Sequence, residues 1–332
     1  MAKDLTESAE ERLIARYFRP LATDPAAFGL GDDAAALTPP PGCDLILKTD
    51  GVIAGVHFFP DDPPDTIGRK ALRMNLSDLA AKGARPVGFL LALALPAAIG
   101  EAWLAAFAAG LSEDAKHYGC PLLGGDTDHT PGPISVSIAA FGTVPRGKMV
   151  RRSTAKPGDC VVVTGTIGDA ALGVKLRRDR SVGKNWRLTA AMAAHLEQRY
   201  LLPQPRNALA EAVLTRASAA MDVSDGLVGD LGKLCRASSV AAEIDVARVP
   251  LSDAARVAVA AAPELLETLL TGGDDYEIVL TLKPDQLGEF SAAAKRTGVA
   301  VTQIGRIAAG EGARFLHDGK VLEFTQPSYS HF

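Results

Sequence analysis

The sequence predicts a mixed α/β (α+β) protein of two domains. Its 332 residues are enough for more than one hydrophobic core. Apolar segments of strand length alternate with amphipathic segments of helical period in both halves. A charged, turn-rich stretch at residues 146–159 separates these halves. We therefore assign residues 1–148 to an N-terminal domain and residues 149–332 to a C-terminal domain.

The N-terminal half is predicted to begin with a helix and to continue into short strands. Ser8 and Glu11 have the spacing of a capping box, which marks a helix start. A glycine-bounded acidic turn at residues 29–33 follows. Residues 45–47 are predicted to form a strand that ends in the Lys-Thr-Asp-Gly stretch, and residues 52–59 to form a second strand-like piece.

The next predicted helix, which starts near Asp65, carries a carboxylate on an apolar stripe. Gly83 and Pro86 end this helix. An ionised aspartate on a buried face needs a cation, hydrogen bonds or a metal ion. For Asp78 alone, an ordinary capping or turn role is the favoured interpretation. The stripe, at i, i+4, i+7 and i+11, consists of Ile67, Ala71, Met74 and Asp78.

Further strands and helices alternate along the rest of the chain. The periodicity predicts strands at residues 87–95, 134–144, 160–164, 242–246, 278–282 and 299–304, and a short strand from residue 122 that runs into a Gly-Gly-Asp turn at residues 124–126. It predicts helices at residues 101–118, 186–200, 207–219, 253–270 and 284–297, one after the turn 165–169, and one that ends at Arg236.

Composition excludes several classes of function. The net charge of −4 provides no broad basic field, so we expect no nucleic-acid partner. The four cysteines form no CxxC pair, which argues against zinc and a disulfide framework. The longest apolar run, residues 87–99, is too short to span a bilayer. Because the charged residues 1–13 also lack a signal-peptide core, we expect a cytoplasmic protein with no membrane partner.

Aspartates recur in glycine turns and at predicted strand ends. Each alone is an ordinary turn residue, but Asp50, Asp126 and Asp222 each follow an apolar strand-like segment. Strand ends are where α/β proteins place ligands. A set of oxygen donors without grouped His or Cys favours Mg²⁺, which bridges carboxylates to substrate phosphates. The full set is Asp32, Asp33, Asp50, Asp78, Asp126, Asp222, Asp225, Asp274 and Asp275.

Other familiar signatures are absent. The sequence has no GxxxxGK[ST], no GxGxxG after a strand, no GxSxG and no HExxH. The turn at residues 165–169 precedes a helix and has the position of an anion site, but a plain strand-to-helix turn is the favoured interpretation. His57, as a lone histidine, is by itself more often a packed residue than a ligand-binding one.

Nine segments, taken together and in order, are specific to one family. They are GDDAA (31–35), KTDGVIAGVHF (48–58), NLSDLAAKGARP (75–86), GGDT (124–127), RRSTAKPGD (151–159), VTGTIGD (163–169), DVSDGL (222–227), GGDDYE (272–277) and YSHF (329–332). On these motifs the chain resembles the thiamine-monophosphate kinase family, in the superfamily of aminoimidazole ribonucleotide synthetase and selenophosphate synthetase.

The resemblance implies ATP-dependent phosphorylation of thiamine monophosphate to thiamine diphosphate. Transfer would be direct and in line, assisted by several Mg²⁺ ions through Asp50, Asp78 and Asp126, with no covalent nucleophile. The implied protein has a two-domain fold and forms a homodimer. Its N-terminal ATP- and magnesium-binding domains would pair through a β-barrel-like interface, and its C-terminal α/β domains would complete the active site.

The resemblance also assigns site residues by position. The implied magnesium ligands are Asp33, Lys48 through its backbone carbonyl, Thr49, Asp50, Asp78, Asp126, Asp222 and Asp225. The implied ATP contacts are Gly125, Asp126, Arg152 and Ser224, and the implied thiamine-phosphate contacts are His57, Asp274 and Tyr329. The chain departs from the family pattern at Lys48, where a hydroxyl residue is common, at Asp274, where glutamate is common, and at Ser330, where aspartate is usual.

These roles suit phosphoryl transfer, which needs alignment and charge neutralisation more than a nucleophilic side chain. Two alternatives stay open. One is another ATP-dependent enzyme of the superfamily, of the hydrogenase-maturation or selenophosphate synthetase type, although Cys43 lacks the setting of a reactive cysteine. The other is a nucleotide-binding protein without turnover.

Overall fold

The computed structural model describes residues 8–329, which divide into two compact units. The first unit contains the described residues up to Leu76 together with residues 85–147. The second contains residues 77–84 and the chain from Lys148 onward. Residues 77–84 belong to the second unit because Ala80 and Ala81 are buried in its core. Over residues 8–329, none of the helices has the length and apolar character needed to cross a bilayer.

In the described part of the first unit, a four-stranded sheet packs with helices. The helices are α1 (Ala9–Leu13), α2 (Pro64–Ala81, whose end lies in the second unit) and α3 (Glu101–His117). The strands are β1 (Cys43–Ile53), β2 (Arg85–Leu95), β3 (Leu122–His129) and β4 (Ser135–Pro145). Their order is β1-β4-β2-β3, with only the β2–β3 pair parallel. Residues alternate between buried and half-buried along β4, as its sequence predicts.

Several predicted local features are confirmed. Ser8 and Glu11 form the capping box. Gly83 ends α2 with a φ of 69°, in the left-handed region that glycine enters without steric cost. The apolar members of the α2 stripe, Ile67, Ala71 and Met74, are buried, whereas Asp78 is half-buried.

The predicted positions of two acidic motifs are wrong. Asp50 lies within β1, which continues to Ile53, and Asp126 lies within β3 rather than in a turn after it. Glycine and aspartate are depleted in strands, but pairing with neighbouring strands overrides that preference. Asp50 is paired with Ile138 of β4, and Asp126 with Ala92 of β2. Residues 54–58 form a tight turn closed by a bridge, not a second strand.

The second unit, over its described residues, is built on a seven-stranded mixed sheet. Its strands are β5 (Cys160–Thr164), β6 (Ala219–Val223), β7 (Ala241–Asp245), β8 (Glu277–Leu282), β9 (Val301–Ala308), β10 (Gly312–His317) and β11 (Lys320–Val321). Its helices are α4 (Asp169–Arg178), α5 (Val182–Asn185), α6 (Ala190–Leu201), α7 (Ala210–Arg216), α8 (Leu227–Ser238), α9 (Asp253–Ala261), α10 (Leu265–Thr271) and α11 (Leu287–Arg296). The strand order is β11-β10-β7-β9-β5-β8-β6.

Three neighbouring strands at one end of this sheet are covered on both faces. β5, β6 and β8 are buried along their whole length, which explains their continuous apolar sequences. β10 and β11 are not among the strands predicted from the sequence. Asp318-Gly319 is a hairpin signal between them, and both residues adopt the positive φ that a two-residue hairpin turn requires.

A buried ion pair joins α2 to α3 within the first unit. Arg73 Nε and Nη2 donate to Asp114 Oδ2 and Oδ1 at 2.5 and 2.9 Å, and Arg69 Nε donates to Asp114 Oδ1 at 3.2 Å. Asp114 is fully buried, so removing it would leave the Arg73 guanidinium in a low-dielectric interior without its anion.

We predict that Asp114→Ala lowers the free energy of unfolding by about 3–5 kcal/mol, because it leaves a buried charge uncompensated. Chemical denaturation followed by circular dichroism measures this loss. Glu113→Ala is the matched control, since Glu113 also pairs with Arg69 but is exposed, and we expect it to cost less than about 1 kcal/mol. Equal losses in the two variants would contradict the prediction.

Candidate active site

In the first unit, β1 carries three of the predicted magnesium ligands on its two faces. Lys48 and Asp50 share one face, and Lys48 Nζ lies 3.1 Å from Asp50 Oδ1. Thr49 is exposed on the opposite face, because successive strand residues alternate. Any shared ligation by Thr49 and Asp50 would therefore use the Thr49 backbone. Lys48 provides Asp50 with a positive partner, which a hydroxyl residue at this position would lack.

The glycine before Asp126 allows β3 to approach β2 closely. A Cβ atom on Gly125 would lie 1.9 Å from the carbonyl oxygen of Leu91, so no other residue fits. Asp126 itself is exposed, and so is Asp33, whose backbone N–H donates to Asp32 Oδ1 at 2.8 Å.

His57 closes the turn after β1. Its Nδ1 accepts the backbone N–H of Ile53 at 3.1 Å, and its carbonyl oxygen accepts a hydrogen bond from the buried Lys70 ammonium at 3.0 Å. Because Nδ1 is an acceptor, the proton of the neutral ring is on Nε2. His57 therefore has a structural role in the turn and presents a donor nitrogen at the same time.

In the second unit, a buried carboxylate organises the loop after β6. Asp230 Oδ2 accepts the backbone N–H groups of Ser224 and Asp225, both at 2.9 Å. Its Oδ1 accepts from Lys233 Nζ at 2.8 Å, and Lys233 also contacts Asp225 Oδ2 at 2.5 Å. Burial is the main cause that raises the pKa of Asp230. Asp230 is not among the residues predicted from the sequence, although an acidic residue in the first turn of α8 was a signal.

This loop brings residues of several motifs together. The backbone N–H of Asp274 donates to the Ser224 carbonyl at 2.9 Å, and that of Tyr276 donates to the Val223 carbonyl at 2.8 Å. The N–H of Tyr329 donates to the Asp225 carbonyl at 3.1 Å. Ser224, Asp225, Asp274 and Tyr329, predicted from three distant segments, are therefore neighbours. The last three residues of the YSHF motif, among them Ser330, lie outside the described residues.

Asp78 reaches the same neighbourhood through the end of α2. Ser77 Oγ donates to the Tyr276 carbonyl at 3.4 Å, and Lys82 Nζ donates to the Ala220 carbonyl of β6 at 2.8 Å. Both contacts lie within the second unit. Asp222 is buried and is the fourth residue of β6, so it lies within the strand and not after it. Arg152 is exposed, and its carbonyl oxygen accepts a hydrogen bond from Ser238 Oγ at 2.8 Å.

The predicted carboxylates do not form a ready-made metal cage. Over residues 8–329, no three or more His, Cys, Asp or Glu side chains are grouped closely enough to hold an ion. The oxygen-only donor set still fits Mg²⁺. This ion keeps several waters and commonly binds through one or two carboxylates plus substrate phosphates, so a cage made of protein alone is not required.

The turn at residues 165–169 is a structural turn, as the favoured interpretation holds. The backbone N–H of Gly168, at the start of α4, donates to both carboxylate oxygens of the buried Asp275, at 2.8 and 3.0 Å. An internal carboxylate therefore already binds the N-terminus of α4, where an external anion would have to bind.

A second buried carboxylate in this turn interacts with a histidine. Asp169 accepts hydrogen bonds from Thr166 and Ser252 and lies 3.2 Å from His195 Nε2. Burial alone would raise the pKa of Asp169, but the hydrogen bonds from His195, Ser252 and Thr166 outweigh burial and lower it. The same bond to Asp169 raises the pKa of His195.

Comparison with known proteins identifies relatives along nearly the whole chain. Residues 31–144 match the family model of the AIR synthase related protein, N-terminal domain, and residues 156–318 match the model of its C-terminal domain. A thiamine-monophosphate kinase of Caulobacter vibrioides is 42% identical over 96% of this chain and 89% of its own. A thiamine-monophosphate kinase of Escherichia coli K12 is 41% identical over 97% of this chain and 98% of its own.

Solved structures agree with these relatives. The crystal structure of thiamine-monophosphate kinase from Stenotrophomonas maltophilia K279a superimposes with a TM-score of 0.83 at 39% identity, covering 94% of this chain and 96% of that one. The structure of AaThiL complexed with AMPPCP and TMP gives 0.78 at 30% identity, over 92% and 96% of the two chains. Hydrogenase maturation protein HypE with ATP gives 0.80 at 19% identity over 97% and 96%, a likeness that concerns the fold alone.

We predict that the pKa of His195 lies above its ordinary value of 6.5. Since the folded pKa is raised, the pair's stabilisation is complete below pH 6.5 and disappears as the pH rises through the folded value. Asp169→Asn should bring the pKa down to 6.5 or below, because burial and Arg199 both lower it. NMR titration of the imidazole measures this shift. Ser252→Ala keeps the Asp169 charge and should leave the pKa above 6.5, and an unchanged value in Asp169→Asn would contradict the prediction.

Proposed function

The chain belongs to the AIR synthase related family and, within it, to the thiamine-monophosphate kinases, and on that premise we propose that it transfers a phosphoryl group from ATP to thiamine monophosphate. The product is thiamine diphosphate. One structural observation supports the proposal most directly: segments from distant parts of the chain are hydrogen-bonded to one another. Residues 82, 274, 276 and 329 donate to backbone carbonyls of residues 220–225, and Ser77 donates to the carbonyl of Tyr276. Residues so far apart in sequence would form one acidic neighbourhood for a phosphorylated substrate.

Magnesium would supply charge neutralisation between ATP and the phosphate acceptor. In the first unit, the proposed ligands are Asp33, Asp50, Asp126, Thr49 and the Lys48 carbonyl. In the second unit, they are Asp78, Asp222 and Asp225. Lys48 Nζ, 3.1 Å from Asp50 Oδ1, would offset the negative charge of that carboxylate and so limit its repulsion of the other carboxylates of the site.

The remaining proposed contacts bind and orient the two substrates. Gly125 would contact a phosphate through its backbone, Ser224 offers a hydroxyl, and Arg152 provides a guanidinium that can bind phosphate oxygens in bidentate fashion. On the acceptor side, His57 presents its Nε2 donor, Asp274 carries a negative charge that suits the cationic thiazolium, and Tyr329 offers an exposed ring. No nucleophilic side chain takes part, because the acceptor oxygen is itself a phosphate oxygen and transfer is direct and in line.

We also propose that the protein is a homodimer, paired in a β-barrel-like interface by the sheet of the first unit. One face of that sheet exposes Leu47 by 66% and Leu90 by 36%. Leu47 of β1 is directly paired with Phe141 of β4, which is half-buried on the same face. Large apolar side chains grouped on a sheet face mark an interaction surface.

The four cysteines, all in the described region, are free thiols, as in the reducing cytoplasm where we place the enzyme.

A turnover assay tests the function. Purified protein with magnesium and ATP should convert thiamine monophosphate to thiamine diphosphate with one ADP formed for each product, measured by chromatography. Asp78→Asn and Asp126→Asn should each lower kcat by at least about a hundredfold, since each removes a charge that aligns phosphates. Their melting temperatures should stay within a few degrees of wild type.

Asp128→Asn is the matched control, because Asp128 lies two residues after Asp126 on the same face of β3. It should retain turnover. A folded wild-type protein that forms no thiamine diphosphate would refute the function. Equal activity in Asp126→Asn and Asp128→Asn would refute the role of Asp126.

We predict that Leu47→Asp converts the dimer to monomer, because it places a charge on the exposed apolar face. Light scattering coupled to size-exclusion chromatography at micromolar concentration measures the mass. Val321→Asp is the control, since Val321 is 50% exposed on β11 of the second unit. It should leave the dimer intact, and a wild-type monomer would exclude the proposed assembly.

A further inference from the structure

The segment Gly272–Glu277 holds two side-chain-bearing residues in an unfavourable backbone conformation. Asp274 has a φ of 72° and Tyr276 a φ of 51°. Both lie in the left-handed region, where a bulky residue such as tyrosine is a genuine outlier. Such strain persists only where the surroundings determine the conformation, and it concentrates at ligand-binding sites.

The buried carboxylates on either side of Tyr276, those of Asp275 and Glu277, attach this segment to the rest of the second unit. Asp275 accepts the N–H of Gly168, as described above, and Arg199 Nη2 donates to its carbonyl at 3.4 Å. Glu277 is fully buried and accepts hydrogen bonds from Arg199 at 2.8 Å, from Arg206 Nε at 2.6 Å and from Thr164 Oγ1 at 2.7 Å. Arg199, Arg206 and β5 therefore fix the backbone on the C-terminal side of Tyr276, and Gly168 fixes it on the N-terminal side.

The backbone of the segment is also held from the side of β6. The N–H groups of Asp274 and Tyr276 are taken by the Ser224 and Val223 carbonyls. Gly273 passes so close that a Cβ atom there would lie 2.4 Å from the Ser224 carbonyl oxygen. These contacts therefore fix the position of the Asp274 backbone.

The remaining freedom of Asp274 is the rotation of its carboxylate. The hydroxyl of Tyr276 donates to Asp274 Oδ1 at 3.3 Å, and Tyr276 is only 3% exposed. An aspartate has a single methylene group, so the position of its carboxylate depends mainly on the backbone. The hydrogen bond from the Tyr276 hydroxyl then orients that carboxylate. A carboxylate held in one orientation binds a cation with less loss of entropy than a rotating one.

We propose that Tyr276 and Asp275 are positioning residues for the acceptor: they fix the carboxylate of Asp274 where the cationic ring of the phosphorylated substrate binds, without touching that substrate. This inference rests on the proposed function. It adds a division of labour within Gly272–Glu277, in which Asp274 contacts the acceptor and its two neighbours determine the geometry.

Tyr276→Phe tests the proposal, because it removes only the hydroxyl. We expect the KM for thiamine monophosphate to rise by about tenfold, as for the loss of one hydrogen bond to a charged group. The KM for ATP should change by less than about twofold, since the proposal assigns Asp274 to the acceptor and not to the nucleotide. A purely structural role for the hydroxyl would move the melting temperature and leave the ratio of the two KM values unchanged.

Tyr17→Phe is the matched control. The Tyr17 hydroxyl also donates to a carboxylate at 3.3 Å, that of Glu101, and its ring is buried in the first unit. It should leave both KM values unchanged. An unchanged KM for thiamine monophosphate in Tyr276→Phe, or an equal rise in both KM values, would overturn the proposal.

Asp275 gives a second, independent test. Asparagine has the same shape as this buried aspartate and keeps one of its two side-chain oxygens as a hydrogen-bond acceptor. Asp275→Asn keeps an acceptor for Gly168 and should retain the wild-type KM for thiamine monophosphate, whereas Asp275→Ala should raise it by about tenfold. Equal KM values in Asp275→Ala and wild type would contradict the role of Asp275.

Failure of the proposed function is distinguishable, because it would appear in the wild type. A folded wild-type protein that makes no thiamine diphosphate overturns the function and this inference together. A wild type that turns over, with variants that share its KM for thiamine monophosphate, overturns the inference alone.

Discussion

The carboxylate of Asp230 is the interaction on which the functional region of the second unit depends. It is fully buried, and it binds the backbone N–H groups of Ser224 and Asp225. These amides would otherwise be unpaired at the start of α8, and a buried unpaired amide is costly. Lys233 offsets the charge of Asp230 and also pairs with Asp225. The loop that Asp230 shapes then provides the carbonyl groups that bind residues 274, 276 and 329.

Buried charges occur throughout this unit, and their cost explains their placement. Asp169, Asp230, Asp275 and Glu277 are almost completely buried, and each has donors within 3.2 Å. An apolar replacement of such groups is often as stable, so buried ionic groups are weak evidence for stability alone. Three of them also shape the segments that carry proposed site residues: Asp230 binds the backbone of Asp225, and Asp275 and Glu277 fix the segment that contains Asp274. We interpret them as determinants of geometry, which an apolar core would not supply.

The sequence predicted the elements of the fold well where hydrophobic periodicity was strong. The helix through Asp78, the strand after Pro86 and the buried strands of the second unit were correct because burial on one or both faces leaves a clear pattern. It failed at Asp50 and Asp126, where glycine and aspartate suggested turns but strand pairing continued. It also missed Asp230 and the Glu277–Arg199–Arg206 contacts, because nothing local shows which distant cation a carboxylate will meet.

The order of the motifs was enough to determine the family. Residue chemistry indicated the class of reaction, since oxygen donors without His or Cys favour a magnesium-assisted transfer of phosphate. Tertiary structure decided how those residues are presented. Backbone hydrogen bonds to residues 223–225 bring three segments together, and strand alternation separates the Thr49 side chain from that of Asp50. Two left-handed residues mark the segment 272–277 as constrained. The physical reason is that a sequence specifies which groups are available, whereas distance and orientation depend on partners far away along the chain.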